Sequence, residues 1–92
     1  MKLTLCYRGQ LALAAGRDSE PREIEPGTSL ESLIASLAEE IGEAFAEIVF
    51  DSQGRQRRTL LVAVDGEQVI DFQAPLSENA REIVLIPPIA GG

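Results

Sequence analysis

The sequence predicts a two-layer α+β domain: one main helix packed across one face of a mixed sheet of four to five strands. Three observations carry the prediction. Leu30, Leu33, Ile34, Leu37, Ala38 and Ile41 recur at helical spacing and form a single apolar stripe. Leu3, Leu5 and Tyr7 alternate with polar or small residues, and Ile83-Val84-Leu85-Ile86 is continuously apolar. Both runs lack an internal proline, which suits central strands. Leu60-Leu61-Val62-Ala63-Val64 then meets Asp65-Gly66, a hairpin turn signal. A helix with one stripe and a sheet with one apolar face bury both by packing on each other.

Taken in order, the first strand is followed from Arg8 to Ser19 by a loop with room for one helical turn. Glu20 to Glu25 returns as a strand. Pro21 cannot donate to a ladder, so this strand belongs at an edge, and its charges discourage edge-to-edge pairing. Pro26-Gly27 breaks the strand. Thr28 and Glu31 form a capping-box pattern ahead of the apolar stripe, and Gly42 is placed to end the helix in the left-handed region. Glu43 to Glu47 extends as a short helix, and Ile48-Val49-Phe50 reads as a strand or its approach. Asp51 to Gly54 is a turn by composition. Arg55, Arg57 and Arg58 form the one dense basic cluster, explained either as solvated loop charges or as a contact to an acidic partner or nucleotide-bearing enzyme. After the Asp65-Gly66 turn, Glu67 to Ile70 is a short strand. Asp71 to Arg81 is a loop with room for one tight helical turn, and Glu82 to Ile86 is the last strand.

Composition narrows the chemistry. Ninety-two residues suit one domain, and 45% hydrophobic with 25% charged residues suits a globular one. Fifteen acidic against eight basic residues give a net charge of −7, which repels phosphate backbones and argues against nucleic acid as a partner. No apolar run reaches the length of a membrane span, and the alternating N-terminus is unlike a signal peptide, so the expected location is the cytoplasm. One cysteine and no histidine argue against a disulfide, a metal site or histidine acid–base catalysis. Cys6 falls on the face opposite Leu5 and reads as a small strand residue, or else as a reactive thiol with Arg8 as its nearest cation. Glu39 and Glu40 are adjacent on the helix and point apart, which suits solvation rather than paired acid–base work.

If the first and last strands are neighbours, the arrangement is a β-grasp, the ubiquitin-like fold. Parity then fixes the faces. With Leu60, Val62, Val64, Ile83 and Leu85 inward, Leu61, Ala63, Val84 and Ile86 form an apolar patch on the outer face, of the kind that marks a protein interface. The domain is expected to span 1–86, and 87–92 an extended flexible tail, Pro87-Pro88-Ile89-Ala90-Gly91-Gly92. Two prolines stop the strand and stiffen the exit, and two glycines keep the tip thin. The Gly92 carboxylate is read as the working group.

These features together resemble the small sulfur-carrier proteins of the MoaD/ThiS family: the first-strand pattern, the capped helix after Pro-Gly, the hairpin at Asp65-Gly66 and the Pro-Pro-Ile-Ala-Gly-Gly ending. The resemblance implies a protein cosubstrate rather than an enzyme, unless the chain is a subunit of molybdopterin synthase. An E1-like enzyme would use ATP to adenylate Gly92, and a sulfur donor would displace AMP to leave a thiocarboxylate. A sulfur-accepting synthase in cofactor or metabolite biosynthesis would then take the sulfur. The carrier itself would bind no cofactor or metal. Gly91 and Ala90 would pass a narrow channel, Ile89 would anchor in it, and Leu61, Ala63, Val84, Ile86 and Arg8 would meet the partner. Arg8 stands where some relatives carry an exposed aromatic residue, and the hairpin at Phe50 to Arg55 makes the chain longer than the shortest thiamine-type carriers. Both bear on partner choice. The longer form is similar to molybdopterin-synthase small subunits and to carriers for cysteine synthesis. Two other readings stand beside it: a ubiquitin-like modifier joined to lysines through the same terminus, and a β-grasp domain that only binds.

Overall fold

Hydrophobic spacing and turn chemistry account for most of the elements in a computed structural model that describes residues 1–88. The strands are β1 (Lys2–Tyr7), β2 (Ser19–Glu23), β3 (Leu61–Val64), β4 (Glu67–Gln68) and β5 (Glu82–Ile86). The helices are α1 (Gln10–Ala15), α2 (Leu30–Ile41) and α3 (Glu43–Val49). The strands form one sheet in the order β2-β1-β5-β3-β4. β1 and β5 pair in parallel, and the other neighbours are antiparallel. β5 is thus the middle strand, and Pro21 lies on an edge strand, where its missing N–H costs no ladder bond.

One face of the sheet is closed by α2 with its stripe of Leu30, Leu33, Ile34, Leu37 and Ala38, all buried. Against it lie Leu3, Leu5 and Tyr7 of β1, Val62 of β3, and Ile83 and Leu85 of β5. Tyr7 and Phe45 meet edge to face, with ring centroids 6.0 Å apart and planes at 85°. The chain between β4 and β5 contributes more than a connection, because Leu76 and Ala80 are buried in the same core.

Several local expectations are corrected. Ile48-Val49-Phe50 is not a strand. Phe45 and Val49 both reach the core fully buried, which residues four apart do on a helix, so α3 runs to Val49 and Phe50 is its extended C-cap. The cap of α2 is Ser29 rather than Thr28. The Ser29 Oγ accepts from the Ser32 backbone N–H at 3.1 Å, while the Thr28 hydroxyl donates backwards to the Glu25 carbonyl at 2.7 Å. The single turn expected after β1 is a six-residue helix, seated by buried Leu11. β4 is limited to Glu67–Gln68, although the Val69 N–H still donates to the Val62 carbonyl at 2.9 Å, and Ile70 is 82% exposed. The segment before β5 shows turns rather than a helical turn. Gly42 does end α2 with a positive φ of 118°, but its ψ of −172° lies outside the left-handed helical region expected for it.

The hairpin after β3 is tied to β5. Asp65 and Gly66 take positive φ values of 51° and 86°. The Asp65 carboxylate accepts the Arg81 and Glu82 backbone N–H groups at 3.0 and 2.9 Å, and the Asp65 N–H donates to the Glu82 carbonyl at 2.9 Å. This clamp fixes where β5 begins and therefore where it ends.

Candidate functional site

β5 leaves the sheet between two neighbours. Register pairs Tyr7 of β1 with Leu85, and Leu61 of β3 with Ile86. On the β1 side, the Arg8 N–H donates to the Leu85 carbonyl at 3.1 Å. The chain then turns away at Gly9, which has φ 51° and ψ −126°, a conformation that disfavours any side chain. A Cβ on Gly9 would lie 3.4 Å from the Pro87 ring, so the turn into α1 passes close against the first residue of the exit.

The outer face of the sheet beside this exit is apolar. Leu61 is 42% and Ile86 37% exposed, and they are direct cross-strand partners. Ala63 and Val84, the next pair on that face, are half-buried. Cys6 pairs with Val84 and is buried, more enclosed than an outward strand position suggests. Its Sγ lies 3.7 Å from a Glu82 carboxylate oxygen. Burial first, and then the Glu82 charge, push the thiol up from its ordinary range, while Arg8 pulls it the other way. A thiol so placed is poorly ionised at neutral pH, which disfavours the reactive reading.

Toward the helix layer, the exit borders an open groove. Ile86, Pro87, Pro88 and Leu61 line it together with Ala44 and Ile48 of α3. Arg57 and Arg58, both exposed, also line it. The Arg57 guanidinium donates to the Glu47 carbonyl at 3.2 and 3.3 Å, near the C-terminus of α3, where a cation is favoured. Ile48 was not recognised as part of this region because the last turn of α3 reads in sequence as a strand, and Ala44, already read as helical, was not connected to the exit. Their spacing of four was the available signal. Leu13, 83% exposed on α1, and Ile70 are further exposed apolar side chains. The expected site residues thus fall into a connected group, Arg8, Leu61, Ala63, Val84, Ile86, Pro87 and Pro88, while Ile89, Ala90, Gly91 and Gly92 lie outside the described residues.

Among the described residues, no group of three histidine, cysteine, aspartate or glutamate side chains could hold a metal ion. No helix described is long and apolar enough to cross a membrane.

Comparison with solved structures places the fold. The chain superposes on SAMP1 from Haloferax volcanii with a TM-score of 0.80 at 20% identity, covering 100% of both chains. It matches Urm1 from Trypanosoma brucei with a TM-score of 0.76 at 19% identity, over 99% of this chain and 95% of that one. It also matches a chain in the complex of subunits 1 and 2 of molybdopterin-converting factor from Helicobacter pylori, with a TM-score of 0.60 at 20% identity over 100% of both chains. At these identities the likeness is one of fold, the ubiquitin-like β-grasp. A search of curated proteins returned no match. A family-level match does extend through the sequence: the ThiS family model covers residues 6–92, and the chain belongs to the ThiS family.

Proposed function

We propose that this protein carries sulfur on the carboxylate of Gly92. The observation that carries the reading is the geometry of the exit in a ThiS-family chain. The middle strand of the sheet ends beside an exposed apolar pair, Leu61 and Ile86, and passes directly into Pro87-Pro88. A rigid origin and two prolines restrict the backbone at the base of the tail, which reduces the entropy lost on threading a partner's channel.

The chemistry is supplied by partners. A carboxylate is a poor acyl donor because its oxygen leaves badly. An E1-like enzyme forms the mixed anhydride with AMP from ATP and releases pyrophosphate. Sulfide-level sulfur then attacks the acyl carbon, AMP leaves, and a thiocarboxylate remains. That sulfur is ionised at neutral pH and is a soft nucleophile toward a precursor held by a synthase. Glycine at 91 and 92 leaves the acyl carbon open to approach at about 3–3.5 Å. The likeness to a chain in the molybdopterin-converting factor complex supports a synthase as the accepting partner.

The test incubates the full chain with an E1-like enzyme, ATP and sulfide, and reads intact mass. The expected product has one oxygen replaced by one sulfur. Deletion of Gly92, or addition of a residue after it, is expected to abolish that change with the far-ultraviolet circular dichroism unaltered. Conversion of the extended chain at the wild-type rate would refute the assignment to Gly92. The likeness to SAMP1, a small archaeal modifier protein, favours a second reading in which the same activated terminus joins lysines. Glycine–glycine remnants on lysines of other proteins would show it.

A further inference from the structure

The chain is nearly free of amines. Of its eight basic residues, seven are arginine and Lys2 is the one lysine. The cations at the exit are all arginine: Arg8 beside the end of β5, and Arg57 and Arg58 in the groove that Pro87 and Pro88 line. The two amines lie at the other end of the sheet. β1 and β5 run parallel and Tyr7 pairs with Leu85, so Lys2, at the start of β1, lies about 17 Å behind the exit at about 3.3 Å per residue. The Met1 amino group is further occupied, donating to the Ile24 carbonyl at 2.7 Å and lying 3.8 Å from the Glu23 carboxylate. The stronger nucleophiles that do stand near the exit are enclosed. Cys6 is buried with its thiol pushed up, and Tyr7 carries its hydroxyl into the core. Thr59 lines the groove, but a hydroxyl is a weak nucleophile unless a base activates it, and the chain has no histidine.

We propose that the exit is kept free of side-chain nucleophiles so that an activated Gly92 is not consumed by its own chain, and that Lys2 is the one side chain able to accept that acyl group, from a second copy. The inference rests on the proposed function, in either of its readings, because both pass through an acyl group made reactive at Gly92. Acid strength separates the two kinds of cation. A lysine amine, with an ordinary pKa of about 10.4, gives up its proton often enough to attack an acyl adenylate. A C–N bond then forms, AMP leaves, the amine's proton passes to solvent, and the activation ends as an unreactive amide. A guanidinium, with a pKa above about 12, stays protonated and offers no lone pair. Arginine therefore keeps the positive charge at the exit and removes the nucleophile. Reach makes the placement matter. Residues 89–92 span at most about 14 Å from Pro88 at about 3.6 Å per residue. That covers the groove shared by Pro88 and Arg58, and it is less than the distance back to Lys2. A group tethered within such reach meets its neighbour at an effective concentration of order millimolar, above any ordinary concentration of the protein itself.

The experiment prepares the full chain with Gly92 as a thioester, by thiolysis of an intein fusion, so no E1-like enzyme or sulfur donor takes part. Wild type, Arg58→Lys, Arg8→Lys and Arg81→Lys are compared in mildly alkaline buffer by intact mass and peptide mapping. Arg81→Lys puts the same amine beside the start of β5, away from the exit. The three arginines are exposed and the exchange keeps their charge, so folding is expected to persist, and circular dichroism checks it. Arg58→Lys and Arg8→Lys are expected to lose thioester at least about tenfold faster than wild type, giving a monomer lighter than the free acid by one water, with the amide at the new amine. Dilute wild type and Arg81→Lys are expected to hydrolyse at the rate of a short peptide thioester with the same ending. Concentrated wild type is expected to give a covalent dimer linked through Lys2, absent in Lys2→Arg. An internal amide in wild type, a dimer linked elsewhere, or equal thioester lifetimes for the three arginine variants would each overturn the inference. The expected lifetimes, found together with no sulfur gain by wild type in the enzyme-dependent test, would support the guarded exit and count against sulfur carriage.

Discussion

Tyr7 carries its ring into the core and its hydroxyl with it. Among the described residues that hydroxyl has no hydrogen-bond partner. Burial, and then the nearby Glu20 carboxylate, push its pKa from 10 up to about 12. The sign depends on which form the fold prefers. A raised folded-state value means the neutral phenol is favoured, so this contribution to stability is intact below pH 10 and is lost as pH climbs from 10 to about 12. Tyr7 is the one tyrosine of the chain, so tyrosinate absorbance reads it without interference. The native protein is expected to titrate near 12 and the denatured chain near 10. Tyr7→Phe keeps the edge-to-face contact with Phe45 and removes the unpartnered hydroxyl, so its melting temperature is expected to equal or exceed wild type. A native titration near 10 would contradict the burial. Sequence parity already put Tyr7 inward, but the fate of its hydroxyl depended on what the fold brought opposite it.

At the scale of elements, α2 was legible because twelve residues give its stripe three turns in which to repeat. Its start was misjudged by one residue because Thr28 and Ser29 are both good caps, and the choice falls to whichever hydroxyl faces the first free N–H groups. Ser29→Ala is therefore expected to cost about 1 kcal/mol in denaturant unfolding, and Thr28→Ala, away from the helix N–H groups, less than half of that. The reverse order would restore the capping box at Thr28 and Glu31. α3 was misread in its last turn for a different reason. A three-residue apolar run fits a buried strand or a buried helical turn equally, and only the depth of Phe45 and Val49 separates them. That misreading hid Ile48, and with it part of the lining of the groove beside the exit.

At the scale of the whole molecule, strand order is what gives the exit its surroundings. β5 lies between β1 and β3, so Arg8, Leu61 and Ile86 gather from segments far apart in sequence. If the proposed partners dock on this face, Leu61→Asp/Ile86→Asp is expected to weaken binding to an E1-like enzyme and to a sulfur-accepting synthase by more than about 2 kcal/mol, as loss of central apolar contacts does. Because the two new carboxylates face each other across paired strands, the melting temperature is expected to fall, so binding is compared at a temperature where circular dichroism shows the double variant folded. Undiminished binding, measured by titration calorimetry, would move the interface off this face. Local pattern alone determined the α+β class, the helix stripe, the inward and outward parity of β1, β3 and β5, and the abrupt end of β5 at Pro87, because each depends on neighbours in sequence and on periodicities fixed by backbone geometry. Tertiary structure decided the enclosure of Cys6, the clamp of Asp65 on the start of β5, the lining that α3 lends to the groove, and the placement of Arg8 and Arg58, which make no ion pair among the described residues. Those are set by which distant groups share a volume and which charges find partners, and neither is written in spacing along the chain.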